Sequence, residues 1–248
     1  MRYFQAVGSP VHSLELGKRR DESQAMYSQI LGQRIDIVLA SELHLEARPS
    51  LQGFVSEGLH TLIAESLPAR FVEPRPAVCI ADGDLQTLAP GTAAALFDGI
   101  TIHEVAHLVA MKLTPDVCQG FHGRDLRAAV ARPLKIEAVK WLGHDANFIR
   151  AMLHLVHRAA SRGHSVSLPL AFCHKSYGLS SAQQYAIALG DECSAGSWLP
   201  LSEALARPMP DAFKSLWMAD VLQSLGLFPV SKGSKNVKRS RKTLSEKS

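Results

Sequence analysis

Closely paired cysteines are missing from this chain of 248 residues. Its four cysteines, Cys79, Cys118, Cys173 and Cys193, stand far apart and form no C-x-x-C pair. They read as reduced, mostly buried thiols of a cytoplasmic protein. No apolar run approaches the ~20 residues that a membrane helix needs, so no membrane partner is expected. The N-terminal stretch Met1-Arg2-Tyr3-Phe4-Gln5-Ala6-Val7-Gly8-Ser9-Pro10 is too short in its apolar part, and too soon interrupted, to read as a secretory signal. Internal repeats and a phosphate-binding glycine loop are also absent.

An excess of basic charge is absent from the body and confined to the end. The formal net charge is +4, but the stretch from Lys232 to Ser248 holds seven Lys/Arg and one Glu. That tail is therefore strongly basic and the remainder slightly acidic. The expected organisation is one domain over residues 1–230 and a basic, disordered tail over 231–248. Such a tail offers weak, non-specific contact with nucleic-acid phosphates, or serves only as a solubilising terminus.

Along the body, helical periodicity dominates. Residues 1–20 show no clear period and read as irregular or a short strand. From Asp21 to Leu45 the apolar positions Ala25, Met26, Ile30, Leu31, Ile35, Val38, Leu39 and Leu43 recur at three- and four-residue steps, which predicts one or two amphipathic helices. Ser50 can cap a further helix from Leu51 to Leu67, with Phe54, Val55, Leu59, Leu62 and Ile63 as its stripe. Prolines and Gly83 bracket the run Ala77-Val78-Cys79-Ile80, which reads as a strand. Pro90-Gly91-Thr92 opens a helix to about Leu113, with Gly99 inside it as a kink or a close backbone approach. A well-formed helix runs from Asp145 to Ala160, burying Phe148, Ile149, Met152, Leu153 and Val156 and leaving Arg150, His154, His157 and Arg158 on its other face. Val166 to Phe172 reads as a strand or loop. A short helix capped by Ser180 or Ser181 stops at Gly190, with Asp191-Glu192 as a polar turn, and Asp211 caps a last helix carrying Phe213, Leu216, Trp217, Val221 and Leu222. The fold class is α+β and predominantly helical, a long apolar helix packed beside a small sheet.

That long helix carries His103-Glu104-Val105-Ala106-His107, an H-E-x-x-H sequence. Two histidines four apart project from one face of a helix, a turn apart, so both imidazoles can reach one metal ion. The glutamate after the first histidine then sits beside the ion, placed to take a proton from its water. Zinc, as Zn2+, suits the arrangement because it accepts imidazole nitrogen, keeps an open fourth position and lowers the pKa of bound water to about 7. The bland alternative is an amphipathic helix with these residues on its wet face. Against it, no Lys or Arg occurs from Pro90 to Met111, and Ile100, Ile102, Leu108 and Val109 flank the motif.

With these flanks the motif resembles that of the zincin metallopeptidases. The metzincin ending is excluded, since Ala110 and Leu113 stand at its glycine and histidine positions. A catalytic zinc normally takes three protein ligands. His122, in Phe121-His122-Gly123, lies at the interval of the SprT-like metalloproteases, the nearest resemblance. His144, in Gly143-His144-Asp145, opens a firm helix and has an aromatic residue, Phe148, four positions on. A ligand at the start of a firm helix is held more rigidly. That favours His144, with His122 as the alternative third ligand and Glu137 and Glu192 as outside candidates. The resemblance covers roughly Pro74 to Ala160. It implies a zincin-like domain in which the strand before the metal helix binds an extended substrate by strand addition. The zinc ribbon that SprT-like families often add is absent here, and with it the support for a role on DNA–protein crosslinks.

The expectation is a zinc-dependent peptidase acting on a protein or peptide substrate. His103, His107 and His144 (or His122) would hold the metal, Glu104 would be general base, and a histidine such as His154 would help at the oxyanion. Two other readings compete with it. One is a non-catalytic zinc-binding regulatory or accessory protein. The other is a basic-tailed nucleic-acid-associated protein whose H-E-x-x-H is coincidental.

Overall fold

Helix α1 (Pro10–Leu31) begins the described part of this computed structural model, which covers residues 10–45, 53–56, 58–113, 144, 146–172 and 179–224, with backbone alone at 10–13, 111–113, 179–181 and 221–224. Proline is tolerated in a helix's first turn because its missing N–H has no partner there anyway. The helix stops in a Schellman motif: Gly32 takes φ +64°, its N–H reaches the Gln29 carbonyl, and the Gln33 N–H reaches that of Ser28. The helix expected to reach Leu45 is thus cut at Gly32, and residues 10–20, read as irregular or a strand, are helical. Ile35, Val38 and Leu39 fit a 3.6-residue period by their spacing, but they sit in and beside strand β1 (Asp36–Leu39).

Strands β2 (Gly53–Val55) and β3 (Ala77–Ile80) complete a three-stranded sheet in the order β1-β3-β2. β1 runs parallel to β3, with Asp36 opposite Ala77, and β2 runs antiparallel, with Gly53 opposite Ile80 and Val55 opposite Val78. β3 is the strand expected from its sequence. The helix expected over Leu51–Leu67 is instead β2 followed by a shorter helix α2 (Leu59–Ser66), in which Leu59 and Ile63 are buried and Leu62 is exposed. The apolar stripe was real only from Leu59 onward; Phe54 and Val55 pair with β3 instead.

Alternation along the strands sorts the core into two parts. Ile37, Leu39, Val78 and Ile80 face the main cluster, while Val38, Ala77 and Cys79 face a smaller one built with Leu43, Leu59 and Ile63. All four residues of β3 are buried, and both its edges are taken by β1 and β2. Strand addition, which the resemblance assigned to this strand, has no free edge there. The outer edge of β1 is also closed. The backbone N–H groups of Ile35, just before the strand, and of Ile37 and Leu39 within it donate to Ser28 Oγ (3.2 Å), Gln24 Oε1 (2.9 Å) and Glu42 Oε2 (2.8 Å). Among the described residues no strand pairs with the outer side of β2.

The centre of the molecule is α3 (Pro90–Leu113), which packs on β2, β3, α1 and the helices downstream. Its segment Pro90–Ala110 is apolar and long enough to cross a bilayer, with mean hydropathy 1.2, so the chain does hold one such run. But 67% of that window is buried inside the protein, as in the core helix of a layered fold. Arg19 of α1 grips Asp98 of α3 through both carboxylate oxygens. Helix α4 (Ala146–Ala160) lies against α3, followed by α5 (Leu168–Ala171), α6 (Leu179–Ala195), α7 (Leu201–Ala206) and α8 (Asp211–Ser224). α5 replaces the expected strand or loop. α6 runs straight through Gly190, so Asp191 and Glu192 are helical rather than a turn. One hydrophobic cluster reaches from Leu16 to Phe213, within a mostly helical α+β fold.

Candidate metal centre

His103 and His107 stand one turn apart on α3, and His144 lies just before α4. The crossing of these two helices brings the three imidazoles to one point. His103 Nε2 is 3.2 Å from His107 Nε2 and 3.0 Å from His144 Nε2, and a ligand atom from each of the three residues lies within 4.8 Å of the others. Phe148, in the first turn of α4 and fully buried, packs its ring against all three, with centroids 4.9, 4.4 and 4.7 Å from those of His103, His107 and His144.

The chemistry of this donor set can be tested against a metal. His103 Nδ1 lies 2.9 Å from the carbonyl oxygen of Ala171. Only an N–H can satisfy that oxygen, so Nδ1 donates and the Nε2 lone pair faces the other two rings. Burial holds the imidazoles neutral. It lowers His103 against the opposing effect of the Ala171 hydrogen bond. His107 falls well below its ordinary value through burial and then the neighbouring His103 and His144. His144 falls to about 3 through burial and His103. Neutral imidazoles with lone pairs directed to one spot are what a transition metal requires. Zinc–nitrogen bonds of about 2.0–2.1 Å in a tetrahedron set ligand nitrogens about 3.3 Å apart. The two spacings from His103 lie close to that and the remaining one is within 4.8 Å, so the residues fit a zinc ion.

Glu104 sits outside the trio of ligand atoms. Its side chain turns onto β2, where a Cβ added at Gly53 would lie 2.7 Å from Glu104 Cγ and 3.1 Å from its Cδ. Buried there with 7% exposure, the carboxyl is pushed up to about 8 by desolvation. Desolvation favours the protonated carboxyl there as long as no cation stands near it.

The expected residues are not all gathered here. His122 and Glu137 lie outside the described residues. Glu192 is removed from the list of ligands, because its Oε1 accepts from Arg150 Nε at 2.7 Å and faces His154 Nε2 at 3.1 Å. His154, expected on a wet helix face or at the oxyanion, is fully buried and committed to Glu192. Arg150 and Arg158 are buried as well. Arg150 donates to the carbonyls of Ala204, Leu205 and Arg207, and Arg158 to those of Gly196 and Leu199. These polar residues of α4 form an internal seam that ties α6 and α7 down.

Two participants were missed at the level of sequence. The Ala171 carbonyl belongs to the main chain and leaves no mark in the residue type. Gly53 did leave one, a glycine directly before the apolar pair Phe54-Val55, and glycine in a strand marks close approach of another group. Among family models, curated proteins and solved structures, none matches this chain.

Proposed function

We propose that the chain is a zinc-dependent peptidase. The observation that carries this reading is the convergence of one imidazole nitrogen each from His103, His107 and His144, with the buried Glu104 on the same helix as the first two. His103, His107 and His144 would hold the ion. Bound zinc supplies a Lewis acid that polarises a carbonyl and acidifies a coordinated water. With the ion's charge offsetting its desolvation, Glu104 would be ionised and would accept a proton from water on its carboxylate and return it to the departing amine. Its burial against Gly53 keeps bulk water from shorting that transfer.

A peptide substrate is favoured over a small molecule by the sheet. Backbone groups of an extended chain pair with a strand edge, and β2, which lies against Glu104, has its outer side free of any strand among the described residues. The strand-addition role that the zincin resemblance implies for the strand before the metal helix is proposed for β2, since β3 has no open edge. The buried thiols Cys79 and Cys193, both free, support a cytoplasmic protein.

The test joins metal content to cleavage. Protein purified without chelator should carry one zinc, and it should cleave an unfolded protein such as reduced casein. Glu104→Gln should retain the metal and lose the cleavage. Zinc without cleavage by the wild type would favour the non-catalytic accessory protein. A chain that stays empty when offered zinc would end the metal reading.

A further inference from the structure

Gly99 lies four residues before His103, so both face the same side of α3. That side meets α5. A Cβ at position 99 would stand 2.6 Å from Leu170 Cβ, 3.0 Å from the Leu170 carbonyl carbon and 3.2 Å from its oxygen. Two of those three atoms are main chain and cannot rotate aside. α5 therefore rests on bare helix backbone at Gly99. One residue further on, Ala171 presents its carbonyl to His103 Nδ1.

The two groups complete each other. α5 is a single turn, and the carbonyl of its last residue has no partner within the helix. Ala171 is fully buried and Phe172 nearly so, which puts that oxygen out of reach of water. Left alone it would cost free energy; His103 satisfies it. In return the imidazole is committed to one tautomer, with Nδ1 protonated and the Nε2 lone pair turned toward His107 and His144.

We propose that Gly99 is a positioning residue of the metal centre. Its missing side chain lets α5 approach closely enough for the Ala171 carbonyl to set the tautomer and ring angle of His103. The inference rests on reading His103, His107 and His144 as metal ligands, and it concerns how the first of them is made ready. Partners of this kind govern metal affinity by about 10- to 100-fold.

The experiment compares wild type with Gly99→Ala, using Gly91→Ala as control. Gly91 is in the same helix, and a Cβ there meets nothing within 4 Å. In metal-free protein at neutral pH, imidazole nitrogen NMR should show His103 of the wild type protonated at Nδ1. Gly99→Ala should populate the other tautomer, raise the zinc dissociation constant about 10- to 100-fold, and alter the visible spectrum of the cobalt-substituted protein. Gly91→Ala should match wild type in all three. A Gly99→Ala protein that folds and keeps the wild-type tautomer, spectrum and affinity would overturn the proposal. So would a wild-type His103 protonated at Nε2, a result that needs no variant to fold. Wild type that keeps the Nδ1 proton but takes up no zinc would sink the metal reading alone, because the tautomer is read without metal.

Discussion

Phe148 lays its ring on that of His107, with centroids 4.4 Å apart and planes inclined by 33°. The contact links the two helices of the candidate centre, and the same ring borders His103 and His144. Phe148→Ala should cost about 3–5 kcal/mol of stability, the usual range for emptying a fully buried phenylalanine site. It should also weaken zinc binding, since three ligands lose their shared support. Phe148→Leu should recover most of both. Urea denaturation and zinc titration of the two variants check this. Equal zinc affinity in wild type and Phe148→Ala would show that the ring only fills space.

Gly53→Ala should separate metal binding from catalysis. The new Cβ would meet Glu104 Cγ at 2.7 Å and the Cys79 carbonyl oxygen at 3.0 Å. The carbonyl is part of the β2–β3 pairing and gives little, so the Glu104 side chain is the group that shifts. Displacement of a reacting group by about 1 Å costs on the order of 10²-fold in rate. The expected variant binds zinc like wild type and has kcat reduced by about that factor, with KM little changed. Unchanged kcat would mean that Glu104 is not the base.

How legible all this was in the sequence can be read from individual residues. The H-E-x-x-H pair needed only helical periodicity, and α3 runs where Pro90 and the apolar stretch put it. His144 was readable from its downstream neighbours, an aromatic residue four positions on and a firm helix. The charged residues of α4 were misread. Arg150, His154 and Arg158 look like a solvated face, yet their partners are the Glu192 side chain of α6 and main-chain carbonyls of α7 and of the turns after both helices, which no local pattern announces. Near Ile35 and Phe54, three-residue and two-residue spacings coincide, and tertiary pairing with β3 decided between them.

Zinc should stabilise the fold through these ligands. A ligand that binds only the native state adds about 2.7 kcal/mol at a hundredfold excess over its Kd. Thermal melts with a chelator and with zinc should therefore differ for wild type. For His144→Ala the difference should shrink sharply, because one of the three converging nitrogens is gone. An undiminished zinc shift in His144→Ala would transfer the third-ligand role to a residue outside the trio, with His122 as the first to be tested.

Acid stability should depend on a carboxyl that lies away from the metal. Burial pushes the Glu192 carboxyl up, but hydrogen bonds from His154 and Arg150, with the charge of Arg150, outweigh it and hold the group below its ordinary 4.5. A carboxyl whose folded pKa is depressed binds fewer protons in the native state than in the unfolded chain between those two values. Its contribution is complete above about pH 4.5 and fades as the pH falls through the lower, folded value. Wild type should thus lose stability steeply on that acid limb. Glu192→Gln should be less stable at neutral pH, by about 3–5 kcal/mol, because Arg150, with 3% of its side chain exposed, is left as a buried charge without its carboxylate. Its profile below pH 4.5 should be flatter, as the titrating group is absent. Urea denaturation at a series of pH values from about 3 to 8 separates the two effects. Parallel curves for wild type and Glu192→Gln would mean that the carboxylate contributes only shape to the seam, and the hold on α6 and α7 would then rest on the arginine–carbonyl bonds of Arg150 and Arg158.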